Sequence, residues 1–151
     1  MGDGRSVGGE LAANPAVVAL SFTGSLGVGS QIYQQLAPRM ARAQMEMGGK
    51  NPTLVLADAD LDLAARLVAI AGFGLTGQAC TATSRVIVER SVADAFTAKL
   101  IEKAQAIVVG NGLKPGVTMG PAVSAAQLEG NLNYVAIAQQ EGATLLCGGA
   151  R

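Results

Sequence analysis

The sequence predicts an α/β fold whose strands are at least partly parallel. Short apolar runs alternate with longer segments of helical spacing, which is the pattern of strands connected by helices. Half of the 151 residues are hydrophobic and only 15% are charged, so the chain has enough apolar side chain for a core and too little charge for disorder. Aromatic residues make up 3% of the chain, and packing is therefore expected to depend on aliphatic side chains.

The first strand and helix are predicted near the amino terminus. Residues 17–22 form an apolar run that ends at the turn Thr23-Gly24-Ser25, which predicts a buried strand. Residues 28–36 have helical spacing and are followed by Pro38, which predicts a helix that ends there. A loop is predicted upstream, at Gly2, Gly4, Gly8 and Gly9.

Two further strand–helix pairs and a last helix are predicted downstream. A strand at 52–56 leads into Asp58, Asp60 and Asp62, which suit the cap and first turn of a helix that reaches about Gly72. The remaining predicted elements are a strand at 86–88, a helix at 92–106, a helix that Ser124 caps and that ends near Glu141, and a strand at 143–147.

The composition excludes several classes of function. Eleven basic and eleven acidic residues cancel and form no basic run, which argues against a nucleic-acid or anionic-membrane partner. The chain has no histidine, so a Cys-His hydrolase built from its own residues is excluded. The first five residues contain no apolar signal core, and apolar runs are broken well before the about 18 residues of a membrane span. A soluble cytoplasmic protein is expected.

Glu46 and Cys80 are the candidate catalytic residues. Glu46 lies between two methionines and is followed by paired glycines, and Cys80 follows a glycine-interrupted apolar segment and has polar neighbours. A thiol nucleophile, together with a carboxylate that steers a water molecule, is the minimal set for forming and hydrolysing a thioester. Two alternatives stay open: Glu46 as a helix-end acid that is solvated or paired with Arg42, and Cys80 as a small buried hydrophobe.

Three further features bear on ligands. The turn at 24–29 is glycine-rich, follows a predicted strand and opens a helix, so its free N–H groups can accept a phosphate, although its spacing matches no usual dinucleotide or P-loop fingerprint. Asp58, Asp60 and Asp62 are interpreted as helix caps, so no metal site is predicted. Cys147 is interpreted as strand filling, and the two cysteines do not form a disulfide framework.

Taken together, these motifs resemble the aldehyde dehydrogenase superfamily, the NAD(P)-dependent enzymes that oxidise aldehydes to acids. The resemblance covers essentially the whole chain. The resemblance rests on the spacing of Glu46 and Cys80 and on six segments of the sequence. These segments are Phe22-Thr23-Gly24-Ser25 with Gly29, the run from Glu46 to Pro52, Asp58-Ala59-Asp60-Leu61, Gly77-Gln78-Ala79-Cys80, Ser84-Arg85 and Met119-Gly120-Pro121. It implies a fragment of that fold, with residues 1–48 as the end of a Rossmann-like cofactor domain and 49–151 as the first part of an α/β catalytic domain.

The resemblance also implies a role for each site residue. Cys80 would attack the aldehyde to form a thiohemiacetal and then a thioester, its backbone N–H forming half of the oxyanion hole, and Glu46 would activate the hydrolytic water. The cofactor, NAD or NADP, would contact Thr23, Gly24, Ser25, Gly29, Met47 and Gly48, with Gly24 and Ser25 at its phosphates and Met47 and Gly48 near its nicotinamide. The parent enzyme would be a homo-oligomer, a dimer or tetramer.

Several departures from the family leave alternatives open. Both ends of the chain lie in glycine-rich turns and the chain covers only part of the family's usual length, so it is expected to be a piece of a longer enzyme. The isolated chain would then be an inactive remnant or a binding-only fragment. Gly27 stands where many relatives have Glu. Residues 22–29, 44–47 and 80–85 look most like the dehydrogenases of 2-oxoglutarate semialdehyde (2,5-dioxopentanoate). A coenzyme A-acylating relative is the third alternative, against which Glu46 argues.

Overall fold

Two compact units make up the computed structural model, which describes residues 1–151. The first unit is Met1–Gly49 and the second is Lys50–Arg151. Each unit contains one pair of parallel strands, and the two strands of each pair are joined in the chain by a helix. Parallel strands need such a crossover because a short turn cannot return the chain to the same end of the sheet. The predicted α/β class and parallel pairing are confirmed.

The first unit has a β–α–β arrangement preceded by a short helix. Its elements are α1 (Val7–Ala13), β1 (Ala19–Gly24), α2 (Leu26–Leu36), a 3₁₀ turn (Ala37–Arg39) and β2 (Arg42–Met47). Strands β1 and β2 pair in register from Ala19 opposite Arg42 to Gly24 opposite Met47.

The sheet of the first unit has one face packed and one face open. Phe22 and Met47 lie toward α2, where a Cβ on the buried Gly29 would stand 3.3 Å from Phe22 Cε1 and 2.6 Å from Met47 Sδ. A glycine at position 29 therefore lets the helix approach the strands closely. Because side chains alternate along a strand, Thr23 and Glu46 lie on the opposite face, where both are exposed.

One expectation and one alternative interpretation for the first unit are wrong. The predicted amino-terminal loop includes α1, because the Asp3 side chain accepts hydrogen bonds from the Arg5 and Ser6 N–H groups and starts a helical turn despite the glycines. Glu46 is not at a helix end, because its backbone belongs to β2 and is paired with β1. Interstrand pairing, which no local pattern shows, decides the second case.

The second unit repeats the β–α–β arrangement and adds two helices. Its elements are β3 (Asn51–Val55), α3 (Leu61–Phe73), β4 (Thr83–Val88), α4 (Ala93–Gln105) and α5 (Ala125–Gln140), with 3₁₀ turns at Gly74–Gly77 and Arg90–Val92. Asp60 caps α3 as predicted, since its Oδ1 accepts from Asp62 N and Leu63 N, both at 3.1 Å. Ser124 caps α5 through a 3.2 Å bond from Gln127 N.

The core of the second unit lies between its sheet and the helices α3 and α4. Val55, Ala65, Val68 and Phe96 are the buried residues of this cluster. Phe96 of α4 is 2% exposed, and this burial fixes α4 beside α3. No helix of the structure combines the length and the apolar character that a bilayer crossing requires.

The predicted strand at 143–147 is wrong. These residues belong to neither strand pair, and a strand exists only where its N–H and C=O groups are paired with a neighbouring strand. Instead, residues 144–147 line a cavity of about 250 Å³ together with Phe73 and residues of α4. The half-buried Cys147 is one of these lining residues.

Candidate active site

Cys80 lies in a tight turn between α3 and β4. The turn covers residues 79–82 and is closed by a 3.0 Å hydrogen bond from Ala82 N to Ala79 O. The Cys80 thiol is free and its residue is exposed, so the alternative of a small buried hydrophobe is wrong. A free thiol on an exposed turn is accessible to a substrate in solution.

Asn51 fixes this turn from the first residue of β3. Its Nδ2 donates to Cys80 O at 2.6 Å and to Ala82 O at 3.3 Å. In the sequence, Asn51 is visible only as part of a motif, which predicts no role for it. Its partners lie 29 and 31 residues away, and no local pattern signals such a contact.

The segment that enters the turn has an unusual backbone. Leu75, Thr76 and Gly77 have φ values of 52°, 58° and 73°, all in the left-handed region. This region costs a β-branched residue such as Thr76 about 1–3 kcal/mol, so the surrounding structure must hold it. Gln78 contributes by donating its backbone N–H to Leu75 O at 3.1 Å and its side-chain amide to Thr76 Oγ1 at 2.8 Å.

Glu46 lies on the open face of the first unit, one residue before the end of β2. Its cross-strand neighbour is Thr23, and its Oε1 accepts a 3.3 Å hydrogen bond from Gln44 Nε2. The ion pairs of the structure are Lys99–Asp62 and Lys103–Glu102, so Glu46 is not paired with Arg42. The exposure of Glu46 fits the other form of the alternative, a solvated acid. An exposed carboxylate with no cationic partner is available to orient and deprotonate a water molecule.

The predicted phosphate turn connects β1 to α2. Ser25 caps α2, and its Oγ accepts from Val28 N at 3.4 Å. Gly24 and Ser25 are exposed and the first turn of the helix carries no acidic residue, so its free N–H groups can receive an anion.

The other predicted cofactor residues have different surroundings. Thr23 and Gly48 are exposed and Met47 is half-buried, whereas Gly29 is buried against the sheet. The side chain of Met47 lies over Gly29, which gives both residues a packing role within the unit.

A cavity between α1 and α2 was not anticipated from the sequence. It has a volume of about 630 Å³, and Ala12, Phe22, Val28 and Ile32 contribute to its largely apolar lining. Val28 is in the first turn of α2, so the cavity begins beside the phosphate turn. The only sequence signal was the amphipathic spacing of α2, which is equally typical of core packing.

Of the aspartates before and in α3, Asp60 and Asp62 have structural roles, and Asp58 is exposed. Asp60 caps the helix, and Asp62 receives a 2.7 Å hydrogen bond from Lys99 Nζ. This bond and the positive charge of Lys99 lower the pKa of Asp62. No group of three or more His, Cys, Asp or Glu side chains is arranged to hold a metal ion.

Comparison with known proteins identifies the family of the chain. Residues 1–151 match the model of the aldehyde dehydrogenase family. The alpha-ketoglutarate semialdehyde dehydrogenase of Haloferax volcanii is 48% identical over 148 residues, and the alpha-ketoglutaric semialdehyde dehydrogenase of Bacillus subtilis is 47% identical over 150 residues. The two matches cover 98% and 99% of this chain, which spans only 30% and 31% of the length of these curated relatives.

Solved structures agree with the sequence matches. Betaine aldehyde dehydrogenase from Staphylococcus aureus, in complex with NAD⁺, has a TM-score of 0.94 at 35% identity, covering 99% of this chain and 30% of that one. HpcC from Thermus thermophilus has a TM-score of 0.95 at 40% identity, and the match covers 99% of this chain and 29% of that one. The predicted fragment of the aldehyde dehydrogenase fold is confirmed, and the chain belongs to the aldehyde dehydrogenase family.

Proposed function

We propose that this chain is part of an NAD(P)-dependent enzyme that oxidises an aldehyde to a carboxylic acid. The observation that carries the proposal is the exposed thiol of Cys80 on a turn that Asn51 holds. All 151 residues of the chain match the family model. The substrate proposed first is 2-oxoglutarate semialdehyde, because two similar relatives are named for it.

Cys80 begins the proposed reaction as the nucleophile. Its sulfur forms a bond to the aldehyde carbon, the carbonyl π electrons move to oxygen, and the thiol proton leaves to solvent. The backbone N–H of Cys80 donates to the resulting oxyanion. When bound, NAD⁺ or NADP⁺ supplies the hydride acceptor, so the thiohemiacetal carbon becomes a thioester.

Glu46 completes the proposed reaction as the general base. Its carboxylate takes a proton from a water molecule, whose oxygen forms a bond to the thioester carbon. The carbon–sulfur bond then breaks and the electron pair returns to the Cys80 sulfur, which releases the acid. The uncompensated charge and open position of Glu46 support this role.

Residues of the first unit fit a dinucleotide. The exposed turn at Gly24 and Ser25, with the N–H groups of the first turn of α2, suits its phosphates, and the largely apolar cavity between α1 and α2 is large enough for an adenosine. We therefore assign residues 1–48 to cofactor binding and residues 49–151 to the nucleophile. Thr23, Met47 and Gly48 remain proposed cofactor contacts, and Gly29 supports them by packing.

The proposal is tested by removing each thiol in turn from the complete enzyme that contains this chain. Cys80→Ala is expected to lower aldehyde-dependent NADH formation by at least about 1,000-fold, as removal of a covalent nucleophile does. Cys147→Ala is the matched control, since Cys147 lines a cavity beside α4 and lies outside the Cys80 turn, and its activity should stay within about twofold. Unchanged turnover in Cys80→Ala would overturn the proposed function.

A second measurement addresses the substrate. The complete enzyme should show a higher kcat/KM for 2-oxoglutarate semialdehyde than for betaine aldehyde, for which other relatives are named. Product formation should not require coenzyme A. A strict requirement for coenzyme A would instead favour the acylating class.

A further inference from the structure

We propose that Asn51 is a positioning residue that sets the direction of the Cys80 thiol. This role rests on the proposed function, because it concerns the nucleophile assigned there. The side-chain amide of Asn51 acts on the backbone of the turn that carries Cys80.

The side-chain amide of Asn51 suits this position because it has two donors. Both of its neighbours, Cys80 O and Ala82 O, are carbonyl oxygens, so only the NH₂ group can face them. These two carbonyls lie on either side of Thr81. With the closing bond from Ala82 N to Ala79 O, the turn is held at three points.

Asn51 is itself held in place. It begins β3, where Asn51 pairs with Thr83 and the register shifts before Pro52. The proline that follows restricts Asn51 to an extended backbone. Ser84 Oγ donates to Asn51 O at 3.4 Å, and Thr53 Oγ1 lies 3.1 Å from Thr83 Oγ1 one step along the sheet. The amide therefore projects from a fixed strand end rather than from a loop.

The expected consequence is kinetic. A displacement of about 1 Å in a reacting group can cost about 100-fold in rate, because the near-attack geometry is lost. The Cys80 N–H that is proposed to bind the oxyanion belongs to the same turn. Loosening the turn therefore affects the sulfur and the N–H together.

The experiment compares the same substitution at two asparagines of the complete enzyme. Asn51→Asp keeps the side-chain size but places an acceptor against two carbonyl oxygens. Asn111→Asp is the matched control, because the Asn111 side chain accepts a 3.0 Å bond from Leu113 N and an aspartate preserves it. Both variants carry Cys147→Ala, and peptide mass spectrometry of the iodoacetamide-treated enzyme follows alkylation at Cys80 itself.

The expected result separates positioning from folding. Asn51→Asp should lower kcat by about 10- to 100-fold and change the rate of Cys80 alkylation by at least about fivefold, with KM for NAD⁺ unchanged. Asn111→Asp should leave kcat and the alkylation rate unchanged. Thr53→Val, which removes the Thr53–Thr83 bond without touching the turn, controls for loss of stability in the same strand pair.

Two outcomes overturn the proposal. The first is wild-type kcat and alkylation in Asn51→Asp. The second is a loss of kcat in Thr53→Val equal to that of Asn51→Asp at the same loss of Tm, which would make the effect one of stability alone. Activity that persists in Cys80→Ala would contradict the proposed function itself, so the two failures are distinguishable.

Discussion

Glu46 reaches solvent because of strand alternation. Met45 and Met47 face α2, so the residue between them faces the open side of the sheet beside Thr23. Its apolar sequence neighbours therefore do not surround it in space. The only protein hydrogen bond to its carboxylate comes from Gln44.

Replacing Glu46 with glutamine should separate the two halves of the reaction. Glu46→Gln keeps the size of the side chain and removes the base, so thioester hydrolysis is expected to slow by about 100-fold or more. Stopped-flow measurement on the complete enzyme should show a rapid burst of NADH, stoichiometric with Cys80, followed by slow turnover.

The control for this prediction lies on the same strand. Arg42→Gln alters another charged residue of β2 and should leave the steady-state rate within about twofold. A Glu46→Gln enzyme with the full steady-state rate would show that the water is activated elsewhere.

Residue identity was sufficient to propose Cys80 and Glu46, but not Asn51. A thiol and a carboxylate are recognised by their own chemistry and by the motifs around them. An amide has no such signature, and its role becomes visible only when its partners, 29 and 31 residues away, are placed beside it. The cavity that Phe22 and Ile32 line was also missed, because it forms only when residues from separate elements come together.

At the level of elements, the connection from α3 to the Cys80 turn depends on one glycine. Gly77 has φ of 73°, and a Cβ there would lie 3.0 Å from Gly72 O. Gly77→Ala is expected to destabilise the protein by about 1–2 kcal/mol, because the left-handed conformation is costly for alanine and the backbone oxygen cannot move away cheaply. Urea unfolding of the complete enzyme measures the change.

Gly74 provides the matched control. It lies in the same 3₁₀ turn, has φ of −55°, and a Cβ there would meet nothing within 4 Å. Gly74→Ala should therefore leave the urea midpoint unchanged or slightly raised. Equal destabilisation by the two substitutions would contradict the argument from backbone conformation.

The ion pair between α3 and α4 makes stability depend on pH. Lys99 lowers the pKa of Asp62 below its ordinary value of 3.8, and Asp62 raises the pKa of Lys99 above 10.5. The lowered pKa of Asp62 stabilises the fold above pH 3.8, and this stabilisation is lost as pH falls through the folded-state pKa of Asp62. The raised pKa of Lys99 stabilises the fold below pH 10.5, and this stabilisation is lost as pH rises through the folded-state pKa of Lys99.

Asp62→Asn tests this dependence. The urea midpoint of the variant should lie slightly below that of the unsubstituted protein near neutral pH, and the gap should close as pH is lowered below 3.8. The effect is expected to be small, because both side chains are exposed to solvent screening. Asp58→Asn, at an exposed residue without an ion pair, is the control. A difference in urea midpoint between Asp62→Asn and the unsubstituted protein that does not change with pH would contradict the prediction.

Local patterns predicted most elements, and the errors have a common cause. The cap at Asp60 and the apolar spacing of α4 are set within a few residues, so sequence alone located α3 and α4. Strand β2 was missed and the strand at 143–147 was predicted wrongly, because a strand depends on a partner that lies elsewhere in the chain.

At the scale of the whole molecule, much apolar surface is exposed. Leu54 and Ile87, on adjacent strands, are 66% and 54% exposed, and Leu67 and Ile70 of α3 are 51% and 60% exposed. Each sheet has only two strands, so every strand has an unpaired edge. Since the chain spans about 30% of its relatives, the remaining parts of an intact enzyme are the proposed cover for these surfaces.

The isolated 151-residue chain is therefore expected to be inactive and to self-associate. The expected readouts are no aldehyde-dependent NADH formation and a light-scattering mass that rises with concentration. The complete enzyme, assayed in parallel, is the control. Clear NADH formation by the isolated chain would contradict this prediction.

The sequence by itself determined the family, the α/β class and the chemical types proposed for the reaction, because motifs and residue identities are local properties. Only the tertiary structure decided that Glu46 lies on the open face of a strand, that Gly29 packs under Met47, and that Asn51 holds the turn of Cys80. These features depend on strand pairing and on hydrogen bonds between residues far apart in the chain. They exist only once the folded backbone brings those residues together.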